Sequence, residues 1–479
     1  MKKEILEDVK NKMKQIHIQK KCIASFEKIK ELNGVTKCTI DSNTEKGVLK
    51  RTENKLIFEF NSTKVYPVQG KIFPVQLSNC QTVFSCQNSF FTKQELNSDF
   101  RSFRYEICIS ELIEGSKSSF YRIVLPICVE HFTLTRYFES LFNFCYDLSC
   151  SSGDFVKTYI GEREFHVYIV KNNANRFLFV DCMHEIDYDT FYSQILCVLL
   201  SLGFFSGYFI EDECYIFSSN TNDFDVINYT EHRSLRDSIQ LSHRLLPYNL
   251  YDFYSPDEVG KHQHELARVT QGVFVKMVNA LNNSEMFQKA LFVLLEAERT
   301  PLDIQPACLS VVLEALCNYA EDSNEEAFAP IQTKSKAKKL RKKMMKLLDD
   351  PSLELDFSPD GRTIIEKRIN DINKQTNRGK FEKTIQCLGL SLSDYEMESL
   401  LNRNSFLHAS EELKTDKIDI QSNTMDFAKV YVESEILYRL LCKMILKVSG
   451  YCGYMVNELK TRCEIYSPSI REEAWLIKI

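Results

Sequence analysis

The sequence predicts an α+β chain: a mainly antiparallel β half with a few helices, followed by an all-α half. Two observations predict it, and a third accompanies them. Short β-branched and aromatic runs separated by polar stretches fill the first half. Apolar residues then recur at helical spacing almost to the end. The charge balance also shifts in the second half: residues 331–390 hold 15 Lys and Arg against 8 Asp and Glu, in a chain whose net charge is −6.

Taken in order, residues 1–33 place Ile5, Val9, Met13 and Ile16 on one helical face and stop at Asn33-Gly34, a good helix terminator. From there KLIFEF, RYEICIS and FYRIVLPIC read as strands, with DSNTEKG and KQELNSD as the polar connections between them. EFHVYIV and RFLFVDC add two more strands, followed by a helix over 190–203 and a further extended run in GYFIEDECYIF. The uncharged run Phe191 to Ile210 is long enough to span a bilayer. Serines and glycines interrupt it, however, and its flanks are acidic with no nearby Lys or Arg, so it reads as a buried helix running into a strand at Gly207.

Near LPYNLYDFYSPDEVG the pattern switches, which places a boundary near 250 and predicts domains over 1–250 and 251–479. The spacing predicts helices over 258–282, 284–299, 305–321, 335–349, 360–376, 394–412 and 424–449.

Composition narrows the function. Seventeen cysteines without a CxxC pair make neither a zinc framework nor a disulfide scaffold, and the charged N-terminus MKKEILEDVKNKMKQ lacks the apolar core of a signal peptide. The expectation is a cytoplasmic protein with no membrane contact. Net acidity excludes wholesale duplex binding, so any nucleic-acid contact must be local. There is no Gly-rich phosphate loop and no internal repeat in the first half. His262 and His264 lack a third ligand nearby in sequence, so neither a metal nor another cofactor is expected. Glu314, mid-helix in an apolar run, is expected to pair with a buried Arg or His.

The local basic surface is KSKAKKLRKKMMKLL, where Ala337, Leu340, Met344 and Leu347 form an apolar stripe and the lysines cover the other faces. Such a segment is either a solvated amphipathic helix or a phosphate-contacting surface. In the second case Lys338, Lys339, Lys342 and Lys343 are the RNA-binding candidates.

The candidate chemistry lies in LLNRNSFLHASEELK, Leu400 to Lys414. An Arg and a His five positions apart are not specific by spacing alone. Ser393-x-x-Glu396 forms a capping box for the helix leading into the stretch, which puts Arg403, Asn404 and His408 on a helix or at its end. Asn404 and His408 then share a face, whereas Arg403 needs its long side chain or a helix break to reach His408.

This arrangement resembles the HEPN domain, a helical domain whose signature is Arg, often Asn, four to six residues, then His. The resemblance extends to CLSVVLEALCNYAED and to LYRLLCKMILKVSGYCGYM, which look like the long apolar helix and the closing helix of ApeA-like HEPN proteins. It covers about 255–455, and a β-rich first half ahead of such a domain is also similar to that family. Ala409 stands where many members have Gly.

The resemblance implies a metal-independent endoribonuclease, an anti-phage abortive-infection effector that cleaves RNA, tRNA among the possible substrates, when an unknown phage-derived trigger acts through the first half. It also implies a homodimer or higher oligomer. The residue types suit the chemistry: His408 titrates in the right range to move a proton, Arg403 keeps its charge beside a phosphorane, and Asn404 orients His408 or the phosphate. One histidine per chain leaves one proton-transfer role unfilled, which two chains meeting at the motif would supply. The alternative is a non-catalytic helical module that dimerises or binds nucleotides, with the β half binding a ligand or protein.

Overall fold

The computed structural model describes residues 21–52, 55–66, 72–79, 82–98, 100–129, 132–139, 155–172, 175–211, 213–234, 238–241, 243–407, 423–463, 472 and 474–479. Contacts divide the chain into two compact units, Met1–Asn282 and Asn283–Ile479. The first is built mainly of antiparallel β structure and the second mainly of helices, an α+β fold.

The first unit begins with helix α1 (21–30) and the strands β1 (Gly34–Ile40), β2 (Asn43–Thr52), β3 (Lys55–Ser62), β4 (Phe73–Asn79), β5 (Thr82–Leu96) and β6 (Phe103–Ile109). Their order is β4-β1-β2-β3-β6-β5, and β4 also pairs with β5, so the ribbon closes into a barrel without free edges. Period-two alternation supplies the interior. In β3, Leu56, Phe58 and Phe60 are buried and the residues between them are not. Aromatic rings fill the space, with Phe60 stacked on Tyr105 at 5.2 Å between centroids and Tyr66 meeting Tyr105 edge-on at 5.4 Å.

The polar connections are shorter than composition predicts. Only Asp41 and Ser42, both at positive φ, make the first turn, and Asn43 to Gly47 already belong to β2. Gly47 is there for packing: a Cβ would lie 2.3 Å from the Glu59 carbonyl oxygen and 2.6 Å from the Phe58 ring. Likewise, Lys93 to Leu96 extend β5 instead of leaving it.

β5 touches β7 (Glu111–Gly115), and from there the sheet continues as β7-β14-β13-β8-β11-β10-β9. These further strands are β8 (Phe120–Pro126), β9 (Phe155–Ile160), β10 (Arg163–Asn172), β11 (Asn175–Cys182), β13 (Glu213–Ser219) and β14 (Tyr229–Ser234). Between β11 and β13 lie α2 (Tyr188–Ser206) and the short β12 (Tyr208–Phe209), which pairs with β15 (Ile239–Gln240).

One face of this sheet meets α1, where Phe26 packs edge-on against Phe177 and Tyr215. The other face meets α2 through Phe191 stacked on Tyr121 and Tyr188 against Tyr229. Within α2, 72% of the most apolar window is buried, and Gly207 at φ 71° ends the helix, as expected for a core helix running into a strand.

Buried charges of this unit are paired in two places. Arg122 and Asp181, opposite each other across β8 and β11, make a two-point contact at 2.6 Å. Burial works to raise the Glu213 carboxyl, but the His232 hydrogen bond and the Arg51 charge overcome it and hold it at about 2.

The units divide at Asn282, not near 250, because the second helix after the pattern switch and the segment leading into it pack onto the sheet domain. α3 (Pro256–His262) and α4 (Gln271–Asn283) replace the single helix expected over 258–282. Val269, between them, pairs with the backbone around Phe138, the Phe274 and Phe138 rings meet at 5.1 Å, and Asn279 Nδ2 donates to the Tyr159 carbonyl at 2.6 Å.

The second unit contains α5 (Glu285–Ala297), α6 (Gln305–Ser323), α7 (Glu325–Phe328), α8 (Lys334–Leu347), α9 (Gly361–Asn370), α10 (Asn377–Leu388), α11 (Asp394–Leu407) and α12 (Asn423–Ser449). A small ribbon of β16 (Tyr454–Val456) and β17 (Leu476–Lys478) follows. α6 is central: Leu309, Val312, Leu313, Leu316, Cys317 and Ala320 are buried at helical spacing, and α5, α10, α11 and α12 pack against it. Glu314 lies on the exposed side of α6, among neighbours that face the core.

Candidate active site

α11 starts where the sequence places its cap. The Glu396 amide donates to Ser393 Oγ at 3.3 Å and the Ser393 amide donates to Glu396 Oε2 at 2.9 Å, the reciprocal pair of a capping box. Glu396 does more than close the first turn. Its side chain is only 1% exposed, and it accepts from two cations of α12: Arg439 Nε at 3.1 Å and Lys443 Nζ at 2.9 Å.

The remaining donors of these cations are also used. Arg439 Nη1 donates to Asn457 Oδ1 at 3.0 Å and to Glu472 Oε1 at 2.8 Å, and Nη2 donates to Ser393 Oγ at 3.1 Å. Lys443 Nζ reaches the Ser391 carbonyl at 3.0 Å, and Asn457 Nδ2 donates to Glu472 Oε2 at 3.1 Å and to the Ala474 carbonyl at 2.9 Å. Two carboxylates and two cations thus neutralise one another in a site from which water is largely excluded. The cluster ties the start of α11 to α12 and to the segment bearing β17. Ser399 and Leu400, one turn further along α11, are buried as well.

Arg403 and Asn404 stand on the last two turns of α11, and their side chains are outside the described residues, as is the whole of His408. Glu396 and Arg403 are seven positions apart, close to two helical turns, so their Cα atoms share a side of α11 about 10 Å apart. The clamp at the base of α11 therefore holds the helix on which Arg403 and Asn404 stand.

No family model matches the chain, and neither the curated proteins nor the solved structures include one similar enough to match.

Lys338, Lys339, Lys342 and Lys343 are all exposed on α8, which has no acidic residue along its length. The apolar stripe expected beneath them is only partly covered: Ala337 is buried, whereas Leu340 is 38% and Leu347 50% exposed. α8 packs mainly against α9, while α11 packs against α6 and α12.

His262 stacks on Tyr254 with ring centroids 3.8 Å apart and its Nδ1 lies 3.0 Å from Glu265 Oε1. That gives it a local structural role at the end of α3.

Sequence reasoning found Ser393 and Glu396 as a cap but missed Arg439, Lys443, Asn457 and Glu472. A signal for two of them is present: Arg439 and Lys443 are spaced i, i+4 within the apolar run LYRLLCKMIL. Two cations on one face of a buried helix demand a buried carboxylate. Glu472 and Asn457 carry no such signal, since only the tertiary fold brings them to α12.

Proposed function

We propose that the chain is a metal-independent endoribonuclease acting through Arg403, Asn404 and His408, and that it serves in the cytoplasm as an anti-phage effector triggered through its first unit. The observation that carries this reading is the Arg-Asn-x-x-x-His sequence, whose Arg403 and Asn404 stand on a helix with its base clamped by the buried Glu396, Arg439 and Lys443 cluster. A proton-transferring residue is useful only when its carrier is held rigidly, and buried charge pairing of this kind supplies that. The similarity to HEPN proteins, resting on the motif and the flanking helices, supports the same reading.

In the proposed reaction His408 takes the proton of an RNA 2′-hydroxyl, the 2′-oxygen attacks the adjacent phosphorus, and the bond to the 5′-oxygen breaks. Arg403 neutralises the charge that grows on the phosphorane-like transition state, and Asn404 orients His408 or the phosphate. A second copy of the chain supplies the acid that protonates the departing 5′-oxygen. The exposed lysines of α8 hold the RNA backbone without entering the chemistry.

The test is substitution at the motif. Arg403→Ala and His408→Ala should each reduce RNA cleavage by at least about 10²-fold, the usual lower range for general acid-base assistance, while leaving the fold intact. Unchanged cleavage and unchanged toxicity in cells for both variants would replace the nuclease with a dimerising or nucleotide-binding helical module.

A further inference from the structure

The first unit contains a cleft of about 400 Å³ that none of the preceding chemistry uses. The segment after β8 lines it with Phe132, Arg136 and Tyr137, the end of α2 and β12 with Gly207 and Tyr208, and the segment around β15 with Arg244 and Tyr248 among others. Its walls are held by backbone pairing. The Leu241 amide donates to the Gly207 carbonyl at 2.8 Å, and the Val269 amide donates to the Tyr137 carbonyl at 2.8 Å. Ring packing adds to this: Phe132 meets Tyr208 at 5.6 Å and Tyr137 meets Tyr248 at 5.9 Å, both edge-on.

The charged side chains among the described lining residues are cationic. Arg136 lies 4.6 Å from the centre of the Tyr248 ring and Arg244 lies 4.9 Å from it. Arg244 is partly neutralised by Asp252, but half-buried Arg136 has no carboxylate partner among the described residues. No Asp or Glu is in the described wall, and His243 adds an imidazole. A guanidinium held in a concave, half-dry site with no carboxylate on it among the described residues attracts an anion. Aromatic walls and a volume within the range of small-molecule sites call for more than a bare ion.

We propose that this cleft binds a mononucleotide, with Arg136 contacting the phosphate and the aromatic wall taking the base. Arg136 is the specificity-determining cation, and Arg244 positions Tyr248 while keeping its own pair with Asp252. The proposal is independent of the nuclease reading, because the cleft lies wholly within the first unit and its ligand is detected by binding alone.

The experiment is calorimetric titration of the full chain with AMP, GMP, CMP and UMP, and separately with adenosine and with inorganic phosphate. At least one mononucleotide should bind saturably, at least tenfold more tightly than either adenosine or phosphate. Arg136→Gln should weaken that binding at least tenfold. Gln240→Glu, which places a negative charge at an exposed position of the wall and so spares the fold, should weaken it as well. No saturable binding of any of the four at millimolar concentration would overturn the proposal. So would phosphate binding as tightly as the nucleotides, or nucleotide binding that Gln240→Glu and a folded Arg136→Gln leave unchanged.

Discussion

Glu396 is the residue on which the helical unit depends most visibly, because one carboxylate that is 1% exposed answers two buried cations and also caps α11. Glu396→Gln keeps the shape and much of the hydrogen bonding but leaves Arg439 and Lys443 with a net positive charge in a dry site. Removing one partner of a buried pair typically costs about 3 to 5 kcal/mol. Urea denaturation of the variant should show a loss of that order, and Lys443→Met in the same chain should recover part of it by removing one of the stranded charges. A loss below about 1 kcal/mol, the range of a surface pair, would mean that water reaches the cluster and that it does not clamp the helix. At this scale the sequence was half legible. The cap at Ser393 and Glu396 is a local pattern and could be read directly, whereas the partnership with Arg439 joins residues 43 positions apart and could not.

At the scale of elements, legibility followed how local the determining forces are. Helices α5, α6, α8 and α12 lie close to their expected spans because a continuous apolar face announces them. α10 was not anticipated: it has Gly379 in its first turn and buries only Phe381 and Thr384, so its periodicity is faint. β2 was read in part as a turn because Asn, Thr, Glu, Lys and Gly signal one locally, while the barrel demands a strand there and a glycine against Phe58. α8 raises a functional question instead. Its lysines point to solvent along a helix free of acidic residues, which suits phosphate contacts made by counterion release. Changing Lys338, Lys339, Lys342 and Lys343 together to Gln should weaken RNA binding and make its dependence on salt shallower by up to about three units of log-log slope. A slope that does not change would make α8 an ordinary solvated surface.

For the whole molecule, the sequence anticipated a β-rich half and a helical half, but the units part at Asn282 because α4 owes its burial to the sheet domain. The proposed chemistry adds a requirement that one chain does not meet: His408 cannot be base and acid in the same turnover without a partner group. If two chains share the site, mixing Arg403→Ala chains with His408→Ala chains should change activity in a way that neither shows alone. A charged residue at Phe406, beside the motif, should abolish cleavage together with dimerisation. Full activity of a monomer far below any dimer dissociation constant would defeat the shared site and leave a one-chain nuclease.

The most direct measurement joins the motif to its chemistry: incubate the full chain with RNA in EDTA and determine the ends of the fragments. Attack by the RNA's own 2′-hydroxyl predicts cleavage that survives the chelator, with 2′,3′-cyclic phosphate on the upstream fragment and a 5′-hydroxyl on the downstream one, both lost in His408→Ala. Fragments ending in 3′-hydroxyl, or cleavage that stops in EDTA and returns with Mg²⁺ or Zn²⁺, would contradict it by requiring a water nucleophile or a metal.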